Sequence, residues 1–325
     1  MKRFAKIFVV LGFLYAYAHA GLEPGQLQIT VNSWLRYKAG TAPFENYLAI
    51  ERGYLRLDCQ LTEKIKSRVN LDVFSSDKED YPDGAGLKLK YAYLKFDEII
   101  PEGKLTVGLH ENYWGLIYTW GYPTIEKVLE EKEHVLKPAD YGISFSQDFS
   151  EGLGEWQIGI YNGEGYTRTG YKVDPNPAIS GNIRVIPIPG ITFGGSTLYE
   201  DRRGARRLLT AGIGRVAFRP VDIWGEIIMT KIGKVTSIGG MIMPILTLAS
   251  ELELVGRLDY WNPDTEAEKD NRYRIIAGFN YYPVESGKDK PTMMIQMNWE
   301  GKKKDSELRH EFLVQLRWEF TSHAF

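Results

Sequence analysis

From Gln26 to Lys38 the chain alternates between apolar and polar positions. Leu27, Ile29, Val31, Leu35 and Tyr37 fall on one face, with Ser33 as a soft member, and Gln28, Thr30, Asn32, Arg36 and Lys38 on the other, joined by Trp34. A period of two predicts a strand with one apolar and one polar face. A typical soluble strand has about five or six residues, and this run is about twice as long. The pattern recurs. In Arg52 to Leu61, Gly53, Leu55, Leu57, Cys59 and Leu61 oppose Arg52, Arg56, Asp58 and Gln60. After Thr62-Glu63-Lys64, Ile65, Val69, Leu71 and Val73 oppose Lys66, Arg68, Asn70 and Asp72.

Further strands are predicted at Leu87–Phe96, Lys104–His110, Asp140–Phe149, Glu155–Asn162, Ile179–Pro187 and Ile191–Glu200. The second half adds Leu208–Phe218, Val221–Lys231, Val235–Met243, Leu248–Trp261, Arg272–Tyr282, Thr292–Glu300 and Leu308–Phe320. That makes about 16, an even number, as single-chain bacterial barrels require. Helical periodicity suits one stretch alone, Thr124 to His134. The apolar run Ile238 to Ala249 is interrupted by Pro244 and reads as two strand ends around a turn. Connections near Thr62, Ser150–Gly154, Ile188–Gly190, Pro220 and Pro283–Lys290 are short. Those at Ser75–Gly86, Glu111–Ala139, Gly163–Ala178, Asp201–Arg207 and Asn262–Asn271 are longer and polar, and short turns against long loops mark an outer-membrane barrel.

The first residues support export. Lys2, Arg3 and Lys6 precede the apolar run Ile7 to Ala16, and Ala18-His19-Ala20 has the small-x-small form a signal peptidase cuts. The expected organisation is therefore a signal peptide over 1–20, cleaved after Ala20, and a single barrel over 21–325, located in the bacterial outer membrane. Loss of the three basic residues takes the net charge from −2 to about −5, which gives no sign of a nucleic-acid partner. One cysteine, Cys59, excludes an internal disulfide framework and reads as a small hydrophobe on an apolar face. Aromatics at 13% with a mean hydropathy of −0.30 fit an aromatic girdle around a half-polar barrel. A secreted β-sandwich binding protein has nearly the same composition, so strand length, number and loop asymmetry decide for the barrel.

In a barrel the polar faces line a wet lumen. Arg36, Arg52, Arg56, Lys66, Arg68, Lys95, Arg184, Arg257 and Arg274 are the candidate basic lining, with Lys38 beside them; Asp58, Asp72, Glu253 and Asp259 share those faces. Arg52, Arg56, Lys66 and Arg68 form either a basic wall or a salt-bridged surface paired with Asp58 and Asp72. Asp201-Arg202-Arg203 with Arg206-Arg207 reads as a solvated loop or as a site for lipopolysaccharide phosphates. His110, His134, His310 and His323 are scattered without ligand spacing, so neither a metal nor another cofactor is expected. An outer-membrane hydrolase would need a nucleophile near one of these histidines; no G-x-S-x-G occurs, and no catalytic residue is assigned.

The stretch KLTVGLHENYWGLIY (Lys104–Tyr118) resembles the opening of the long inward-folded loop in the phosphate-selective porin family, porins O and P. ADYGISF (Ala139–Phe145) looks like the strand re-entering after that loop, and LELVGRLDYWNPD (Leu252–Asp264) and IIAGFNYYP (Ile275–Pro283) look like two late strands. The resemblance implies an all-β transmembrane antiparallel barrel of about 16 strands, usually a trimer, with a constriction loop in the lumen. The loop would carry Glu111, Tyr113, Trp114, Glu126, Lys127, Glu130, Glu131 and Lys132, and its acids outnumber its bases. A single-sign ring selects ions and mixed rings do so weakly, so phosphate specificity does not transfer with the family name. Tyr91, Tyr93, Tyr113, Trp114, Tyr118, Trp120 and Tyr122 crowd this region, either as a greasy slide for sugars or, the favoured reading, to pack the loop against the wall. Phe312, Trp318 and Phe320 end the last strand in the form of a barrel-assembly signal, with Phe320 favoured over the terminal Phe325. The expected function is passive diffusion of small hydrophilic solutes or ions, with an anion- or phosphate-preferring channel as the alternative.

Overall fold

Strands whose two faces meet different media must close on themselves if no edge is to face lipid. In the computed structural model sixteen antiparallel strands do so, each beside its sequence neighbour, with the first paired to the last. The structure describes residues 26–40, 46–76, 84–168, 170, 173–202, 204–267, 270–284, 292–304 and 307–324. The expected signal peptide and Phe325 lie outside the described residues.

The first five strands are β1 (Leu27–Gly40), β2 (Tyr47–Thr62), β3 (Ile65–Ser75), β4 (Ala85–Asp97) and β5 (Gly103–Glu111). They are followed by β6 (Ala139–Asp148), β7 (Gly154–Tyr161), β8 (Ala178–Ile188), β9 (Ile191–Arg202), β10 (Ala205–Phe218) and β11 (Val221–Ile232). The circuit ends with β12 (Val235–Ala249), β13 (Leu252–Asn262), β14 (Arg272–Val284), β15 (Thr292–Lys304) and β16 (Glu307–Ala324). Closure runs from Leu27↔Ala324 through Val31↔Phe320 to Gly40↔Glu311. On the last strand Phe312 and Phe320 are exposed on the outer face, Trp318 is half-buried, and Leu313 points inward.

Connections at one end of the barrel are short: 63–64, 98–102, 149–153, 189–190, 219–220 and 250–251. The other end carries the long segments 112–138 and 162–177. Three expectations are corrected. β12 runs unbroken through Pro244. Its ladder to β13 skips Met243 and Pro244, where proline has no N–H to give, and resumes in the same register at Ile245↔Val255. The turn therefore falls at 250–251, and β13 begins at Leu252 rather than Leu248. Asp201–Arg207 is nearly all strand, since β9 extends to Arg202 and β10 starts at Ala205. The expected helix over Thr124–His134 reduces to one turn, Leu129–Lys132, with a short 3-10 turn earlier at Ile117–Thr119.

The outer surface is an apolar belt with members on every side, among them Leu55, Ile143, Ile183, Phe193, Ile227, Ile242, Leu258 and Ile275. The inner surface departs from a uniformly wet lumen. From β9 to β13 the inward positions Leu198, Leu209, Ala211, Trp224, Ile228, Met241, Met243, Ile245, Val255 and Trp261 are buried and apolar. The inward face of β11 mixes Trp224 and Ile228 with Glu226 and Thr230. By contrast, β12 is apolar on both faces around Met241, Met243 and Ile245, one toward the exterior and one toward a packed interior. That doubling is why Ile238–Ala249 gives no alternation to read.

Candidate functional site: the constriction loop and its chamber

Residues 112–138 fold into the barrel and supply what the apolar half of the lumen packs against. Trp114, Leu116, Ile117, Trp120, Val128, Leu129, Val135 and Leu136 form one cluster with the inward residues of β9–β13. Trp120 meets Trp224 edge-on, with ring centroids 6.2 Å apart. Of the aromatics expected to pack the loop, Trp114 is fully buried and Tyr113 stacks on Tyr118 at 4.1 Å, whereas Tyr91 and Tyr93 border open cavities.

A loop without regular structure must find partners for its peptide groups, and the barrel wall provides them. Arg184 on β8 donates to the Gly115 carbonyl at 2.6 Å, and Ser196 on β9 accepts from the Gly115 amide at 3.0 Å. Arg207 on β10 donates to the Val135 carbonyl. Arg257 on β13 donates to the Lys127 carbonyl at 2.8 Å, and Asn280 on β14 to the Pro123 carbonyl at 3.0 Å. On β15, Gln296 donates to the Tyr122 carbonyl at 3.0 Å and Asn298 accepts from the Ile125 amide at 2.7 Å. Arg317 on β16 donates to the Gly121 carbonyl at 3.0 Å. The loop is therefore seated on β8–β16. One cation expected to line open water belongs to that seat instead, since Arg257 is fully buried. Arg184 and Arg274 are more than nine-tenths buried, yet each also borders a cavity, of about 940 Å3 and about 520 Å3 respectively.

The loop's acids are engaged as well. Glu126 pairs with Lys132 at 2.5 Å, Glu131 with Lys127 at 2.8 Å, and Glu133 with Arg272 at 2.6 Å and Arg274 at 3.3 Å. Glu130 is buried against Glu226, where the Leu116 amide donates to both. Glu111 at the loop's entry reaches Arg68 at 3.5 Å. The net acidity visible in the sequence is thus matched by lysines of the loop and arginines of the wall, apart from the Glu130–Glu226 pair.

Open space remains against β1–β4. A chamber of about 210 Å3 lies there, walled on the other side by Trp120, Tyr122, Val128 and Glu131 of the loop. Its charged lining is Arg52, Arg56, Lys90 and Arg317 against Glu131. Its aromatic lining is Trp34, Tyr54, Tyr91, Trp120 and Tyr122. The Arg52 guanidinium lies 5.0 Å from the Trp34 ring and 4.7 Å from the Tyr122 ring, and it donates to the Tyr54 hydroxyl at 2.7 Å. Its nearest carboxylate, Glu131, is 3.7 Å away. The Lys90 ammonium sits 4.7 Å over the Tyr166 ring. Toward the long-loop end, Glu131 also borders a cavity of about 400 Å3 with mixed charge: Arg36, Lys38, Lys127, Lys132 and Lys302 against Glu51, Glu126 and Glu311. Toward the short-turn end, Arg56 also borders one of about 350 Å3 that holds Lys66, Arg68 and Lys95 with Asp58. In this lower cavity both readings of the basic wall are partly met. Asp58 is shared by Arg56 at 2.9 Å and Arg68 at 2.5 Å, and Lys66 pairs with Asp97 at 2.7 Å.

Lys90 and Arg317 escaped the sequence reading, and Lys90 did so for a definite reason. The β3–β4 pairing passes from Asn70↔Tyr91 to Leu71↔Leu89, so Lys90 is an extra residue on β4. The β1–β2 pairing passes from Trp34↔Arg52 to Leu35↔Ile50, which makes Glu51 an extra residue on β2. A bulge re-aims side chains and inverts parity on one side of itself. Here it turns Lys90 together with Tyr91 into the chamber. The signal was present in GLKLKYAYLK, whose apolar positions switch from odd (Leu87, Leu89) to even (Ala92, Leu94, Phe96). The arginine cluster after Asp201 also divides: Arg202 and Arg207 reach Glu200 at 2.9 Å each, Arg206 is exposed, and Arg203 lies outside the described residues. His110, fully buried, has Nδ1 3.0 Å from the Glu111 carbonyl and packs on the Tyr161 ring at 5.2 Å, a structural setting rather than that of a base beside a nucleophile.

No protein-family model and no curated protein sequence matches this chain. Solved structures do resemble it. OmpF of Salmonella typhi, in complex with daunomycin, superposes with a TM-score of 0.65 at 10% identity, covering 90% of this chain and 97% of that one. An anion-selective porin from Comamonas acidovorans gives 0.61 at 12% identity, covering 90% and 98%. The outer-membrane channel DcaP of Acinetobacter baumannii gives 0.62 at 9% identity, covering 91% and 96%. At such identities the likeness is one of fold, over about nine-tenths of this chain.

Proposed function

We propose that this chain is an outer-membrane porin that passes small hydrophilic solutes by diffusion and prefers anions. One observation carries the preference: in the chamber of about 210 Å3, Arg52, Arg56, Lys90 and Arg317 face a single acid, Glu131. A narrow low-dielectric passage lined by one sign of charge concentrates the opposite ion. The apolar outer belt suits a bilayer, and the barrel likeness to porins, one of them named anion-selective, supports the reading. The closed barrel also leaves no place for a two-layer sandwich. Solutes enter through the mixed-charge cavity at the long-loop end, pass between the loop and β1–β4, and leave over Arg56, Arg68, Lys66 and Lys95.

Other parts of the reading follow from export. The signal peptide is cleaved after Ala20, the assembly machinery takes up β16 through Phe320, and the barrel sits among lipid and lipopolysaccharide as a homotrimer. Within anions, phosphate is the family-level candidate. It is favoured by the density of arginine along the path, since guanidinium matches phosphate oxygens in pairs.

Planar-bilayer recording of refolded protein tests the proposal. Stepwise channels are expected, with a reversal potential in a KCl gradient on the chloride side, and added phosphate should depress the chloride current. No stepwise channels would sink the porin reading, and cation preference would remove the anion reading.

A further inference from the structure

Three carboxylates gather near the long-loop end, outside the chamber. Glu164 and Asp174 belong to the 162–177 connection and Glu200 to β9; each offers one oxygen, and the three oxygens lie within 4.8 Å of one another. Their exposures are 9%, 5% and 0%. Glu164 Oε1 accepts from the Asp174 amide at 3.0 Å, and Asp174 Oδ1 from the Asn176 amide at 2.8 Å. The other oxygen of each, Glu164 Oε2 and Asp174 Oδ2, is buried without a hydrogen-bond partner. The neighbouring cations do not supply one, because Arg202 and Arg207 both bind Glu200. Among the described residues no ion pair reaches Glu164 or Asp174. A buried carboxylate oxygen left without a partner is costly unless a proton or a cation takes it.

The geometry points to a Ca2+-class cation site held by Glu164, Asp174 and Glu200. An all-carboxylate donor set suits a hard divalent ion rather than zinc or copper. With Ca–O distances of about 2.3–2.6 Å, oxygens on opposite sides of the ion are about 4.6–5.2 Å apart, and the observed span fits inside that shell. No histidine or cysteine takes part, which is why a search for ligand spacing in the sequence passes it by.

The site ties a loop to the chamber. The Tyr166 amide, two residues beyond Glu164, donates to the Ala139 carbonyl at 3.0 Å, and its ring lies 4.7 Å from the Lys90 ammonium. A cation bridging Glu164 to Asp174 and to Glu200 fixes the segment that sets this ring against Lys90. That link to permeation rests on the porin reading, whereas cation binding does not.

The test uses the full refolded barrel in detergent, with terbium luminescence as the probe and Ca2+ as competitor. Saturable luminescence that Ca2+ displaces is expected, with affinity falling at least tenfold in the Glu164→Gln/Asp174→Asn double variant, itself checked for a heat-modifiable folded barrel. Ca2+ should raise the unfolding temperature of the wild type and leave that of the variant unchanged. No saturable binding, or equal binding by the two proteins, would overturn the proposal. So would a variant whose unfolding temperature is higher with or without EDTA, since that marks a shared proton in place of the ion. A barrel that binds terbium but forms no channels would refute the porin reading and leave the cation site standing.

Discussion

Glu130 on the constriction loop and Glu226 on β11 accept the same donor, the Leu116 amide, at 2.9 Å each. Both are buried, neither makes an ion pair among the described residues, and the second oxygen of each lacks a partner. Two carboxylates so close in a dry pocket do not both ionise; the pair keeps a proton. Burial pushes the Glu130 carboxyl above its usual range. The seated loop therefore binds more protons than the released one. Its added stability is fully present below the ordinary glutamate range and is lost as pH rises through the raised value.

Glu226→Gln keeps an acceptor for Leu116 and removes one ionisation. In the native channel, one proton lost on release of the loop should change the ratio of seated to released states by about tenfold for each step of one in pH across that window. Single-channel records of the variant should show a flatter dependence. Unchanged pH dependence would mean that the pair does not control the seat.

Arg52→Gln combined with Lys90→Gln removes two of the four chamber cations. A charge 4 Å from the path is worth about 1 kcal/mol even at the dielectric of water. Each removal should therefore lower anion permeability by roughly fivefold and raise cation permeability by about as much, a fall in their ratio of roughly thirtyfold. The reversal potential in a KCl gradient measures it. Lys64→Gln is the control: Lys64 pairs with Glu98 at 2.9 Å on the exposed turn after β2, borders none of these cavities, and should leave selectivity as it was.

Trp114→Ala opens a cavity under the loop at a fully buried position. A buried tryptophan truncation costs about 3–5 kcal/mol, and here the cost falls on the loop's seat, since Trp114 lies outside the strand ladder. Conductance should rise and become noisy while the barrel remains heat-modifiable on gels. Loss of the folded barrel itself would show that the loop is part of the barrel's folding core.

The candidate site was only half legible beforehand. Arg36, Arg52, Arg56, Lys66, Arg68 and Lys95 border the cavities of the path, as their parity predicts. Arg257 obeys the same parity and points inward, yet the loop covers it, because facing the lumen and facing water differ wherever the lumen is filled. The acidic loop misled in a related way. Glu126, Glu131 and Glu133 count as negative charge in the sequence, but Lys132, Lys127 and Arg272 stand beside them in space.

What the chain determines by itself is the barrel: strand number, the outward face of most strands, most of the tight turns and the long loop over 112–138. These are local properties, since a period of two records which medium each side of a strand meets. Tertiary structure alone decided the rest. The bulges at Glu51 and Lys90 inverted local parity, β12 found apolar partners on both faces, and Glu164 and Asp174 of one connection met Glu200 of β9. Each depends on which residues come together over long separations, and the alternation of a single strand holds no record of that.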